Sequence, residues 1–229
     1  MSDQSSIAGV LAVDVGGSHV KVLVEGEQTE RRASSGPRMT AKQMVLAVQG
    51  LAADWSWDRV SVGIPSPVHM GRVVSDPINL GKGWVAFDYS DAFGVPTKVV
   101  NDAAMQALGS YETGTMLFLG LGTGLGSALV TSGIVQPMEL GHLPYRKATF
   151  EDYVGEAALE RVGKKRWRKH VADVVATLAA ALEPDSIVLG GGNAEKLDEL
   201  PEGSRLGDNA NAFTGGFRLW DPEAPARVL

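Results

Sequence analysis

Four short segments of the sequence carry the residue types from which chemistry is built. The first is Asp14-Val15-Gly16-Gly17-Ser18-His19-Val20-Lys21, where an acidic residue closes an apolar run and two glycines follow. Glycines there let backbone N–H groups approach phosphate oxygens, the Asp14 carboxylate can hold a hydrated magnesium ion, and Ser18 adds a hydroxyl donor. A two-glycine hairpin has the same local form without any ligand, so this segment alone is weak. The second, Gly120-Leu121-Gly122-Thr123-Gly124-Leu125-Gly126, is more specific, because alternating glycines weaken a strand but suit a backbone that wraps an anion. A third cluster, Gly190-Gly191-Gly192-Asn193, fits either a helix-opening turn or a phosphate site. None of the three has the Gly-Lys-Ser or Gly-Lys-Thr ending of a P-loop, nor the spacing of the dinucleotide fingerprint.

The fourth segment is Asn101-Asp102, set between a short apolar run and a helical pattern. Asp102 is either a helix N-cap or a general base that takes the proton of a sugar hydroxyl while its oxygen attacks phosphorus, with Asn101 bonding a neighbouring hydroxyl. Glu139-Leu140-Gly141-His142 offers two further groups suited to vicinal hydroxyls, or a loop ion pair. Glu151 opens a helical pattern, where the helix dipole alone favours an acid. His19, His69 and His170 have no partners at metal-ligand spacing and read as surface or locally bonded residues. The basic run Arg161, Lys164, Lys165, Arg166, Arg168 and Lys169 reads first as the solvated side of a helix, and second as positive charge for a polyanionic donor.

These groups need elements to hold them. Residues 10–15 form an apolar, β-branched run that ends at Gly16-Gly17, and residues 20–24 resume the pattern, which predicts a hairpin. Residues 28–36 are a third strand or a loop. Thr40 with Gln43 is a capping-box signal for a helix through Ala52. Residues 58–64 read as a strand stopped by Pro65, 69–83 as loop, 85–93 as a short helix and 97–100 as a strand. A second cycle follows: helix at 103–110, strands at 116–121 and 127–131, helix at 151–161, and a helix from Lys164 with Trp167, Val171, Val174, Val175, Leu178 and Leu182 on one face. Strand at 186–189, edge strand at 203–207 and helix at 208–219 complete it. The recurrence of strand, glycine turn and strand near residues 10 and 116 predicts two domains of related design around a cleft.

Composition narrows the class. The 229 residues are enough for one large or two modest domains. There is no cysteine, which removes disulfides, thiolate chemistry and Cys-based zinc sites. The start MSDQSS lacks the basic and apolar regions of a signal peptide, and no stretch reaches the roughly 18 apolar residues of a membrane span, so a soluble, cytoplasmic protein without membrane contact is expected. A formal charge of −6 with interspersed signs gives no broad attraction to nucleic acid.

In order and spacing, these motifs resemble the ROK sugar kinases, within the actin-like ATPase and hexokinase superfamily, and most closely the polyphosphate glucokinase branch, over residues 11–219. By the resemblance, Asp14, Gly16, Gly17, Ser18 and Lys21 form the first phosphate loop, with serine for the usual threonine, and Gly122, Thr123 and Gly124 the second. Pro77-Ile78-Asn79-Leu80 with Trp84 is similar to a sugar-binding segment, with Ile78 and two residues before the tryptophan inserted. Asn101-Asp102-Ala103 would supply the base, Glu139, His142 and Glu151 the sugar clamp, and Gly191 and Gly192 the glycines near base and ribose. The family's structural zinc would be absent, since its three cysteines are missing beside His142. The chain is shorter than its relatives between 153 and 186 and around 195–203, regions that would help cover adenosine.

The resemblance implies an α/β fold of two actin-like, ribonuclease H-like domains, residues 1–101 and 102–229, with mixed sheets flanked by helices, an interdomain cleft, and a last helix that packs back on the first domain. It implies phosphoryl transfer from magnesium-bound polyphosphate or ATP to O6 of glucose, with Asp102 as base, Asp14 positioning the metal through water, and a homodimer. The alternatives are another hexose, such as mannose, N-acetylglucosamine or N-acetylmannosamine, or a non-catalytic sugar-binding protein of the same fold.

Overall fold

Short apolar runs buried on both faces, β-branched in β1 and β4 and leucine-rich in β8, build the centre of two mixed sheets. The computed structural model describes residues 9–228, so the polar start MSDQSS lies outside the described residues. The first sheet begins with β1 (Gly9–Val15), β2 (His19–Val24) and β3 (Arg31–Ser34), continues after helix α1 (Ala41–Leu51) with β4 (Trp57–Ile64), and ends, after a small hairpin of β5 (Val68–His69) and β6 (Arg72–Val73) and helix α2 (Tyr89–Phe93), with β7 (Thr97–Asn101). Its order is β3-β2-β1-β4-β7.

The second half starts with α3 (Asp102–Ser110), then β8 (Met116–Leu121), β9 (Leu125–Thr131) and β10 (Ile134–Met138). A hairpin of β11 (Pro144–Tyr145) and β12 (Ala148–Thr149) leads to α4 (Glu151–Val154), α5 (Glu156–Val162) and the long α6 (Lys164–Leu182). The chain then runs through β13 (Ser186–Gly190), β14 (Ser204–Leu206), α7 (Asn211–Arg218) and β15 (Arg227–Val228). The sheet order is β14-β13-β8-β9-β10-β15. Read from β10, it repeats the first sheet: an antiparallel three-strand meander whose first strand is flanked by two successive parallel strands. The echo read in the sequence is thus an echo of topology.

Each sheet buries one face under its own helices. Leu11, Val13 and Val15 pack with Met44, Val48 and the fully buried Trp84, while Leu117, Leu119 and Ile187 pack with Trp167, Val171 and Leu178 of α6. Between the sheets lie α3, against β8, β9 and β10, and α7, against β1 and β4. The two helices touch backbone to backbone: a Cβ on Gly109 would collide with the Asn211 carbonyl, and one on Gly215 with the Met105 carbonyl. Ser61 fixes α7 to the first sheet by donating to the Gly216 carbonyl at 2.6 Å and accepting from Trp220 Nε1 at 2.9 Å.

Some expected elements differ. The helix expected at 85–93 is only Tyr89–Phe93, because Ala86 has a positive φ of 58° and Asp88 caps the helix, accepting from Asp91 N at 2.9 Å. The helix expected at 151–161 breaks at Gly155, whose extended backbone (ψ 173°) separates α4 from α5. The loop at 69–83 contains part of the β5–β6 hairpin, and β15 has no signal in the sequence. The Thr40–Gln43 capping box is formed as expected. No helix among the described residues is long and apolar enough to cross a membrane.

The glycine contact yields a paired prediction. Gly109→Ala should destabilise by about 1–3 kcal/mol or more through overpacking, whereas Gly50→Ala, in α1 with open space around its Cα, should gain up to about 1 kcal/mol of helix propensity. Urea unfolding of both variants beside the parent checks the opposite signs.

Candidate functional site

The loops that follow the carboxyl ends of β1, β4, β7, β8 and β13 meet in one cavity of about 690 Å³, the position at which open α/β sheets bind ligands. Its walls include Asp14, Gly16, Gly17, Ser18 and Lys21 from the first sheet, and Gly122, Thr123, Gly124, Gly191 and Gly192 from the second. Asn79, Asn101, Asp102, Glu139, His142 and Glu151 line the same space. Every candidate site residue of the sequence is therefore brought together, from Asp14 to Gly192.

At the end of β7 the capping ambiguity is resolved by division of labour. Asn101, not Asp102, is the N-cap of α3: its Oδ1 accepts from Ala104 N at 3.1 Å and its Nδ2 donates to Ser66 O at 3.3 Å. Asp102 occupies the first helical position, with Oδ1 accepting from Ala103 N at 2.8 Å. Its Oδ2 has no hydrogen-bond partner among the described residues. Asn101 is 8% exposed and its amide is engaged on both sides, so it holds the helix start rather than presenting a free amide.

The two phosphate-type loops face one another. A Cβ on Gly17 would lie 3.5 Å from Thr123 Oγ1 and 3.4 Å from Asn79 Cβ. Gly191, at φ 81°, allows the third glycine cluster to lie against the Leu121 backbone, and Asn193 fastens it there, N–H to Leu121 O at 2.9 Å and Nδ2 to Gly122 O at 3.1 Å. From the other side the break between α4 and α5 grips the second loop, Glu156 N donating to Gly122 O at 3.0 Å. Gly124 has a reason beyond anion binding, since a Cβ there would collide with the Glu151 carboxylate.

On the acceptor side, Ser127 of β9 fixes the Glu139 segment by donating to Met138 O at 2.7 Å and accepting from Leu140 N at 3.1 Å. His142 Nε2 and Glu151 Oε1 are 3.7 Å apart. Trp84, part of the resembled sugar segment, is fully buried in the first core and does not line the cavity. It anchors the loop instead, with Gly83 N and Trp84 N both donating to Asp76 Oδ1 at 3.0 and 2.9 Å.

Carboxylates dominate the electrostatics. Desolvation raises Asp102 to about 7, with the neighbouring negative charge of Asp14 adding to the shift and the Ala103 N–H opposing it. Desolvation also raises Asp14 to about 6, opposed by Lys21, which lies directly across the β1–β2 hairpin from it. Glu139 is raised by desolvation, with His142 pulling it down and Glu151 pushing it up. Both aspartates are part-exposed to the cavity but enclosed by protein elsewhere.

His19 is exposed, as expected, and it also lines the cavity because it starts β2 directly after the first loop. None of the basic run reaches the cavity; Lys164, Lys165, Arg166 and Lys169 are exposed, while Arg161 and Arg168 bond the carbonyls of Asp152 and Lys196. Lys196, Gln106, Ser66 and Ser127 line the cavity and were not singled out, being isolated polar residues outside any motif. Among the described residues no cluster of three or more His, Cys, Asp or Glu stands at metal-holding distance.

No protein-family model matches the chain. The polyphosphate glucokinase of Mycobacterium tuberculosis is 27% identical over 210 residues, 83% of this chain and 75% of the relative. The inorganic polyphosphate/ATP-glucomannokinase of Arthrobacter sp. strain KM is similar in structure, with a TM-score of 0.80 and 23% identity over 91% of this chain and 96% of that one. A ROK family glucokinase from Streptomyces griseus, solved with glucose and AMPPNP, gives a TM-score of 0.77 at 17% identity, covering 93% and 99%.

The raised Asp102 has a stability consequence with a definite sign. Between pH about 7 and the unfolded value of 3.8 the folded protein binds a proton that the unfolded chain does not, so the stability this linkage gives is present at acid pH and lost as pH rises through about 7. Asp102→Asn should therefore unfold at a higher temperature than the parent at pH 8, by on the order of 1 kcal/mol or more, with the difference shrinking toward pH 4. Thermal melts of both proteins in a chelator across that range test it.

Proposed function

From the premise that the chain belongs to the ROK family of sugar kinases, with polyphosphate glucokinases among its relatives, we propose that it transfers a phosphoryl group from polyphosphate or ATP to O6 of glucose, with Asp102 as general base. The observation that carries this reading is the separation of cap from base: Asn101 satisfies the helix start, leaving the Asp102 carboxylate raised to about 7 at a cavity walled by two glycine loops. A base is most effective when its pKa lies near the working pH.

In the proposed reaction the O6 proton passes to Asp102 as O6 bonds to the terminal phosphorus. The bridging P–O bond breaks and its electron pair leaves with the shortened polyphosphate or ADP. The backbone of Gly16-Gly17 and of Gly122-Thr123-Gly124 binds the donor phosphates, Ser18 adds a hydroxyl, and Gly191 and Gly192 continue the floor. Lys21 holds Asp14 ionised. Asn79, Glu139, His142 and Glu151 take the other sugar hydroxyls, while Asn101 acts mainly by orienting the base. A hydrated magnesium ion fits Asp14, because two raised carboxylates and one lysine leave an excess of negative charge there, and it would supply neutralisation of the donor phosphates. Residues 1–101 and 102–229 act as two domains whose closure excludes water.

Mannose is the second acceptor to test, since the similar Arthrobacter structure is a glucomannokinase. The parent protein with magnesium should phosphorylate glucose from at least one of polyphosphate and ATP, and Asp102→Asn should lower kcat by about 10²- to 10⁴-fold. A coupled glucose 6-phosphate assay with both donors measures it. Parent-like turnover by the folded variant would remove Asp102 from the mechanism, and absence of product with every hexose and donor would favour the sugar-binding alternative.

A further inference from the structure

We infer that Lys196 is a donor-selecting residue, binding a phosphate oxyanion of a linear inorganic polyphosphate; the inference rests on the phosphoryl-transfer reading and names the donor class of that same cavity. Lys196 closes the short 3-10 turn Ala194–Lys196 that follows the third glycine cluster, and it lines the cavity. Its Nζ donates to Asn193 Oδ1 at 2.6 Å, and the Asn193 amide donates in turn to Gly122 O at 3.1 Å. The ammonium is thus coupled through one side chain, 4% exposed, to the second phosphate loop. Two of its three N–H donors remain for a ligand.

The stem of the lysine is held from behind. Arg168 Nε donates to Lys196 O at 2.7 Å, and the same guanidinium pairs with Asp198. This gives one member of the basic run a link to the cavity that is indirect: Arg168 pins the backbone from which the Lys196 ammonium projects. A lysine fixed in advance loses less side-chain entropy when an anion arrives.

Charge and shape point to the ligand. The lysines that line the cavity are Lys21 and Lys196. Lys21 lies across the hairpin from Asp14 and opposes its raised pKa, whereas Lys196 makes no ion pair among the described residues. The walls otherwise carry Asp14, Asp76, Asp102, Glu139, Glu151 and Glu156, so a polyanion needs a cation at the glycine floor. Among the described lining residues, Phe118 is the only phenyl or indole ring, and it is 1% exposed beneath the floor. A nucleobase would find no phenyl or indole platform there, while a chain of phosphates would find backbone N–H groups and an ammonium.

Binding of a fixed-length inorganic polyphosphate, with ATP and glucose run alongside, should be measured by calorimetry for the parent, Lys196→Met and Lys196→Arg over a series of salt concentrations. Lys196→Met should weaken polyphosphate by about tenfold or more and flatten the slope of log affinity against log salt by about 0.7–0.9. ATP should weaken less, glucose affinity should be unchanged, and Lys196→Arg should restore part of the loss together with the slope. Unchanged polyphosphate affinity and slope, an equal loss for ATP, a parallel loss of glucose binding, or a parent that binds no polyphosphate would each overturn the inference. Because the readout is binding, a parent that binds polyphosphate but transfers nothing would defeat the kinase reading while leaving this one standing.

Discussion

A carboxylate that is to act as a base must be taken out of bulk water without losing its ability to ionise, and the arrangement around Asp102 answers that constraint. Protein encloses the group on all sides but the cavity, which raises its pKa, and the Ala103 N–H in the first turn of α3 limits the rise. The cap duty that would otherwise consume the carboxylate is moved one residue upstream. Asn101 can take that duty because its strand, β7, pairs parallel to β4 and delivers it beside Ser66, the acceptor for its amide. Removing either neighbour would change the base without touching it.

The rest of the cavity follows from a repeated topology. Two sheets with the same order of strands place equivalent loops at equivalent ends, so the loop after β1 and the loop after β8 can face each other across a ligand. What sets their separation is the pair α3 and α7, which meet without intervening side chains at Gly109 and Gly215. Helices in backbone contact have little freedom to slide, because any added volume meets a carbonyl directly. Asp102, the proposed base, sits at the start of one of these two helices, so its placement and the spacing of the sheets are set by one contact.

The central strands are legible because a short apolar run buried on both faces leaves a clear pattern, whereas β10, interrupted by Pro137, does not; the glycine clusters are legible because glycine is disfavoured inside a strand. The two-residue strands β5, β6 and β15 are too short to show any period. The start of α2 is not legible in the sequence because Ala86, a good helix former, holds a positive φ. Asn101 and Asp102 are comparable caps, so only the chain path could decide between them. Trp84, which belongs to the segment resembling the family's sugar-binding one, is a core anchor. Lys196 carries no local signal at all, since its importance comes from Asn193 and from Arg168, 28 residues away along the chain.

The placement of α7 also bears on how the molecule is made. Residues 211–220 cover the face of β1 and β4, with Gly216 against Ala12 and Trp220 bonded to Ser61, so one side of the first sheet is finished by residues synthesised well after its own strands. Synthesis is slow beside the folding of a small sheet. During translation β1 and β4 must wait with one face uncovered until α7 emerges, which makes the synthesis of α7, rather than completion of the first sheet's own strands, the event that covers that face.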